Sequence, residues 1–257
     1  MPSPPRYQIF DAHFHIIDNR FPLTPNQGYL PDAFDWKMYR DAVARLRVVG
    51  GAIVSGSFQA FDQTYLLDAL DKLGPRYVGV AQLPAAVTDD ELKRLDAAGV
   101  RAVRFNVRRG GSAGISDLAG MAQRVYDLLR WHVELYIDSR DLEPIYDTLI
   151  KLPRVSIDHL GLSSAGFPTL LKLAERGAQV KATGFGRVDF DVAQAVRDIT
   201  SANPASLVFG TDMPSTRVER PFQASDIGLV ADALGDALAH KVFYDNAVAF
   251  YRPRKAV

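Results

Sequence analysis

Short apolar runs alternate with longer amphipathic segments along most of the chain. Runs at 8–15, 48–55, 77–82, 100–106, 133–137, 154–159, 179–183 and 206–210 predict eight strands. Several are consecutive β-branched or apolar residues without alternation, the pattern of strands covered on both faces in a parallel sheet. Segments at 36–46, 63–73, 89–97, 117–130, 142–151, 169–175 and 192–201 predict the helices between them, and 226–234 and 245–251 predict two more after the last strand. Within 117–130, Leu118, Met121, Ala122, Val125, Leu128 and Leu129 keep helical spacing, and Ser116 stands where an N-cap belongs. Pro75, Pro153 and Pro204 fall just past helix ends and before strands, where they block helix continuation. Eight strand–helix alternations joined by right-handed crossovers close into a (β/α)8 barrel, an α/β fold that takes roughly 250 residues. An open doubly wound sheet is the alternative, but no glycine-rich phosphate loop follows the first strand. No repeat, low-complexity stretch or linker divides the sequence, so residues 1–257 are expected to form one domain. The longest irregular piece, 18–35, would be the first strand-to-helix loop and lie over the barrel mouth.

Composition narrows the partners. Lys+Arg and Asp+Glu are equal at 30 each, so no global field favours nucleic acid or a membrane surface. An anionic ligand must then be held by a few local arginines. The absence of cysteine excludes a disulfide scaffold, a thiolate nucleophile and a thiolate metal site. Residues 1–6 are polar and proline-rich, without the apolar run of a signal peptide, and runs such as 51–54 are too short to span a bilayer. A soluble cytoplasmic protein is the expectation.

Barrel enzymes react at the C-terminal ends of their strands, so polar residues there carry weight. The first strand ends Asp11-Ala12-His13-Phe14-His15. A period of two puts both imidazoles on one face, pointing into the barrel. The sixth ends Ile157-Asp158-His159-Leu160-Gly161, and the eighth runs Phe209-Gly210-Thr211-Asp212. The fourth contains Val103-Arg104-Phe105-Asn106, with Arg108 and Arg109 beyond it, and the fifth gives Leu135-Tyr136-Ile137-Asp138. Each has a bland reading alone: Arg104 as a buried salt-bridge partner, Tyr136 as a core aromatic, Arg108 and Arg109 as a solvated pair. His132 and His240 read as structural, in helix or helix-end contexts. The combination singles out His13, His15, His159 and Asp212, which all fall at one end of predicted strands, where burying such groups is costly.

On these stretches the chain resembles the amidohydrolase superfamily, in its 2-pyrone-4,6-dicarboxylate lactonase branch. The matching segments are DAHFHI (11–16), LDAAGVRAVRFN (95–106), WHVELYIDSRDL (131–142), LPRVSIDHLG (152–161), FGTDMP (209–214) and DNAVAFYRP (245–253). The resemblance implies hydrolysis of a lactone or related cyclic ester. It implies that Asp212 activates water, that His13, His15 and His159 polarise the scissile carbonyl, that Arg104 binds a substrate carboxylate, and that Tyr136 takes the place of the branch's strand-5 tyrosine. The chemistry is compatible. A carboxylate of free pKa ~3.9 is a weak base that burial strengthens and nearby cations weaken. Imidazole N–H groups can form an oxyanion hole at ~3 kcal/mol of barrier each. A guanidinium grips a carboxylate with a planar fork. The branch carries Arg-Pro after DHLG, whereas Leu162 and Ser163 stand here. Arg187, Arg217 and Arg220 are the candidate replacements, so a monoacid lactone suits the chain as well as a dicarboxylate does.

Many amidohydrolases hold a divalent ion through HxH, a strand-5 histidine and the strand-8 aspartate. Here strand 5 offers Tyr136 and Asp138 and no histidine. No cofactor is therefore expected, although His13, His15 and Asp212 could supply three ligands to zinc or manganese. The leading expectation is a metal-independent lactonase acting on a small anionic lactone. The alternatives are a metal-dependent amidohydrolase or decarboxylase on the same barrel, and a barrel that binds a ligand without catalysis.

Overall fold

The computed structural model describes residues 7–255, so the expectation about residues 1–6 lies outside the described residues. Eight parallel strands follow one another around a barrel in sequence order: β1 (Ile9–Phe14), β2 (Val48–Val54), β3 (Tyr77–Ala81), β4 (Val100–Phe105), β5 (His132–Leu135), β6 (Val155–Ile157), β7 (Gln179–Ala182) and β8 (Leu207–Phe209). The ring is drawn shut just beyond β8. There the Asp212 amide donates to the His13 carbonyl at 2.7 Å, and the His15 amide donates to the Met213 carbonyl at 2.8 Å. The helices are α1 (Trp36–Val43), α2 (Thr64–Leu73), α3 (Asp89–Ala98), α4 (Leu118–Leu129), α5 (Tyr146–Leu149), α6 (Phe167–Glu175), α7 (Val192–Ala202), α8 (Ser225–His240) and α9 (Asn246–Tyr251). None is long and apolar enough to cross a membrane.

Two local expectations are corrected and a third is borne out. The helix predicted at 142–151 is replaced by the short turn Glu143–Ile145 and the single-turn α5. Ile145, at φ −113° and ψ 7°, leaves helical geometry between them. Ser116 does not cap α4: it sits in the turn Ile115–Asp117 that precedes the helix. The helix predicted to stop at 234 does leave helical geometry there: Gly235, at φ 70° and ψ 165°, breaks α8, and a second short helical segment carries the chain on to His240.

Strand residues such as Ile53, Val103, Phe105, Val133, Leu135 and Ile157 pack outward against helix residues such as Leu66, Leu92, Val125 and Leu170. Each fully buried aliphatic side chain contributes about 1.5–3 kcal/mol. The interior is divided. Phe10, Ala12, Ala52, Val54, Val78, Val80, Ala102 and Val208 make an apolar cluster closed by Tyr251 of α9. The β4–β7 side instead buries Arg104, Glu134, Asp158 and Lys181. In β1, Asp11 pairs with Gly51 and Phe14 with Ile53, three steps against two. Such a bulge re-aims the side chains around it. It lets His13 and His15 join Ala12 in facing the barrel interior, while Asp11 turns to the Tyr39 hydroxyl of α1 (3.0 Å) and to the Thr211 amide (2.8 Å) and hydroxyl (2.7 Å). Gly210 must be a glycine here, since a Cβ would stand 2.5 Å from the His13 nitrogen.

Candidate active site

His13, His15, His159 and Asp212 meet at the C-terminal mouth of the barrel, all buried. Asp212 Oδ1 lies 3.8 Å from His13 Nε2, 3.7 Å from His15 Nε2 and 4.0 Å from His159 Nε2. Neither Asp212 Oδ1 nor His13 Nε2 has a hydrogen-bond partner among the described residues. The outer ring nitrogens are anchored. His15 Nδ1 lies 2.7 Å from the Val54 carbonyl, which only accepts, so Nδ1 carries the proton. His159 Nδ1 pairs with the Thr183 hydroxyl at 2.8 Å. His159 and Asp212 both adopt left-handed backbone, at φ 52° and 58°. Aspartate and histidine tolerate that region better than most residues, at a cost of about 1–3 kcal/mol. The short strands β6 and β8 end just before these two residues, and the turns that follow aim their side chains across the mouth.

Arg187 fixes the other oxygen of Asp212: Nε and Nη2 each lie 2.8 Å from Oδ2, and Nη2 also donates to the Thr216 carbonyl. Burial alone would push the Asp212 carboxyl up, but the Arg187 guanidinium, and then His159, outweigh it and hold the group well below the usual carboxylate range. Burial, reinforced by the Lys181 charge, brings His13 down to about 3. Burial likewise takes His159 well below its ordinary value. The site at neutral pH thus holds an ionised Asp212 carboxylate facing the neutral imidazoles of His13 and His159.

Above this group opens a cleft of about 390 Å³, lined by His15, His159, Tyr136, Phe58, Asn106 and the four arginines Arg104, Arg109, Arg187 and Arg217. Arg104 is already engaged. Its Nε and Nη2 reach Asp158 Oδ2 at 3.2 and 2.8 Å, and Nη1 donates to the Ser55 carbonyl. Its guanidinium stands 5.4 Å from the ring centre of Tyr136, which meets His159 edge-on at 5.1 Å. Arg109 and Arg217 share Gln27 Oε1 at 3.4 Å each, and Arg217 lies over the Tyr29 ring at 4.4 Å. The 18–35 segment therefore does cross the mouth. Arg108 turns away to Asp138 at 3.1 Å and does not line the cleft. Arg220 pairs with the Asp226 carboxylate, also away from it. Leu162 and Ser163 are buried and bring no cation.

His13, His159 and Asp212 have ligand atoms close enough to share a metal ion, and His15 Nε2 points the same way. The donors suit zinc in kind. Their surroundings oppose it, since Arg187 already neutralises Asp212 and the Lys181 ammonium stands 3.2 Å from His13 Nδ1.

Sequence reasoning passed over Lys181 and Glu134, and gave Asp158 no role. The usable signal was a charge flanked by apolar neighbours inside a predicted buried strand, as in Val133-Glu134-Leu135 and Val180-Lys181-Ala182. His132 begins β5 and is not at a helix end; it is buried with Nε2 3.1 Å from Glu134 Oε1. His240 ends α8, half exposed, 3.6 Å from Asp245.

A family model described as Amidohydrolase matches residues 10–252. The chain is 29% identical to a 2-pyrone-4,6-dicarboxylate hydrolase of Comamonas testosteroni, over 99% of this chain and 94% of that one. It is 26% identical to a 4-sulfomuconolactone hydrolase of Rhizobium radiobacter, over 94% and 89%. The apo crystal structure of an Agrobacterium tumefaciens protein matches the fold with a TM-score of 0.84 at 23% identity, over 98% of both chains.

Proposed function

The chain belongs to the amidohydrolase family, and from that premise we propose that it is a metal-independent lactonase that opens a small carboxylated lactone with Asp212 as the general base. The observation that carries the reading is the convergence of three imidazole Nε2 atoms on Asp212 Oδ1 while Arg187 locks Oδ2. Locking one oxygen leaves the other to take a proton from water. The attacked carbonyl becomes an oxyanion beside the imidazoles, where a placed N–H donor lowers the barrier by about 3 kcal/mol. The proton on Asp212 then returns to the leaving oxygen, which completes ring opening without net proton loss from the site. Tyr136, Arg104, Arg109 and Arg217 surround the remainder of the substrate, and Arg109 and Arg217 carry the least compensated charge. Two relatives named for hydrolysis of anionic lactones support a substrate of that class. The reading this displaces puts a divalent ion on His13, His159 and Asp212, where its Lewis acidity would replace the imidazole donors.

A panel of carboxylated and uncharged lactones, followed with a pH indicator, tests the proposal. Acid release from carboxylated lactones by the wild type, cut by about 10²-fold or more in Asp212→Asn, is the expected result. Release at near wild-type rate in Asp212→Asn, or release that favours uncharged lactones, contradicts it.

A further inference from the structure

Beneath the cleft floor, Lys181 of β7 is completely buried. Its ammonium contacts Glu134 Oε2, lies 3.2 Å from Asp158 Oδ1, and lies 3.2 Å from His13 Nδ1. Those same three groups, His13, Glu134 and Asp158, have the spacing of a cation site, and the lysine side chain supplies the cation.

An ammonium has three donors and no lone pair. Its approach to His13 Nδ1 therefore requires that nitrogen to be the acceptor, because a protonated Nδ1 would set N–H against N–H. The rival partner for an Nδ1 proton, Asp158 Oδ1, is farther away at 3.5 Å. A neutral imidazole carries one proton, so it must sit on Nε2, the buried nitrogen that faces Asp212 Oδ1. His15 shows the opposite outer contact in the same site: its Nδ1–H is donated to the Val54 carbonyl. Metal-ligating histidines almost always resemble His15, with the outer N–H donated to an acceptor. His13 instead receives a donor there.

We propose that Lys181 is a positioning residue: by donating to His13 Nδ1 it fixes the Nε2–H tautomer, so that His13 presents a hydrogen-bond donor to the substrate carbonyl and no lone pair to a metal ion. The catalytic meaning rests on the metal-independent reading above; the tautomer assignment does not. The surrounding charges are matched, with Arg104 and Lys181 against Glu134 and Asp158, and Glu134 also receives the Tyr251 hydroxyl at 2.6 Å. Removing Lys181 alone would strand a buried carboxylate, so the informative variant is neutral: Lys181→Met with Glu134→Gln.

The test is the long-range 1H–15N spectrum of histidine-labelled protein. The chain has five histidines, and a His13→Asn sample identifies the signal of interest. The wild type should show His13 protonated at Nε2 and His15 at Nδ1. In the double variant the His13 proton should move to Nδ1, toward Asp158, and kcat on the best lactone should fall about 10²–10³-fold with KM nearly unchanged. Glu134→Gln alone should keep the wild-type tautomer. A wild-type His13 protonated at Nδ1 overturns the role of Lys181 whatever the metal dependence, and that spectrum is readable even if the double variant does not fold. A double variant that folds and keeps Nε2–H also overturns it. Activity lost to a chelator and restored by zinc, in a protein whose metal-free His13 is Nε2–H, overturns only the metal-independent reading.

Discussion

Acid should unfold this barrel early, and the slope can be worked from its buried groups. Burial brings His13 down to about 3 and His132 to about 4, and takes His159 well below the ordinary range. In the unfolded chain all three titrate near ~6.5. As pH falls below that value the unfolded state binds three protons that the folded state refuses, so stability falls with pH. Asp11 acts in the opposite sense. Burial pushes it up to about 6 against the pull of its Thr211 and Tyr39 hydrogen bonds, so the folded state takes up a proton before the unfolded state does. The net difference between pH 6 and pH 4.5 is two protons, or about 2.7 kcal/mol per pH unit and about 4 kcal/mol in total. That is a large part of the roughly 5–15 kcal/mol that holds a domain together. Below this window Glu134 and Asp158 add to the loss: burial pushes both carboxyls up, but Lys181 together with His132 at Glu134, and with His13 and Arg104 at Asp158, outweighs it and holds both down. Urea unfolding followed by circular dichroism from pH 7.5 to 4.5, at constant ionic strength, measures the slope. His132→Gln should cut it by about half, since one of two net protons disappears. Stability that is flat or rises as pH falls from 6 to 4.5 would refute the reasoning.

Other outcomes follow from the site. Asp212→Asn should lower kcat by about 10²–10⁴-fold while substrate still binds, which equilibrium titration can read separately. Arg187→Met removes the guanidinium from Asp212 Oδ2, so burial should raise that carboxyl and carry the acid limb of kcat/KM to higher pH; an unmoved limb would mean Asp212 is not the base. Arg109→Ala and Arg217→Ala should each raise KM about tenfold or more, as expected for a lost charged hydrogen bond. Arg108→Ala should leave KM within about twofold, because its guanidinium serves Asp138 outside the cleft.

The barrel was legible because strand patterning and helix periodicity are local. Runs such as 48–54 carry no polar side chain on either face, and Leu118 to Leu129 keep one helical stripe. The exception was also local, at Ile145, whose non-helical backbone separates the turn Glu143–Ile145 from α5. The clustering of the candidate site was legible because His13, His15, His159 and Asp212 stand at strand ends, and strand ends of a parallel barrel share one face. The orientation of the arginines was not. Arg108 and Arg109 are adjacent, yet one turns to Asp138 and the other to the cleft, a choice made by partners distant in the chain. The ionic cluster of Glu134, Asp158 and Lys181 was hidden for the same reason, since three charges on three strands become one network only when the barrel brings β5, β6 and β7 together. The β1 bulge, visible only in the pairing with β2, lets Ala12 and His13, neighbours in sequence, face the same interior.

The central claim is that Asp212 activates water without a metal ion. The most direct measurement takes one preparation through graded chelation and zinc or manganese reloading, and records metal per chain and kcat on the same samples. With Asp212 acting alone, kcat should be constant from metal-free protein to one equivalent of metal. A kcat that rises in proportion to bound metal and vanishes at zero would contradict the claim.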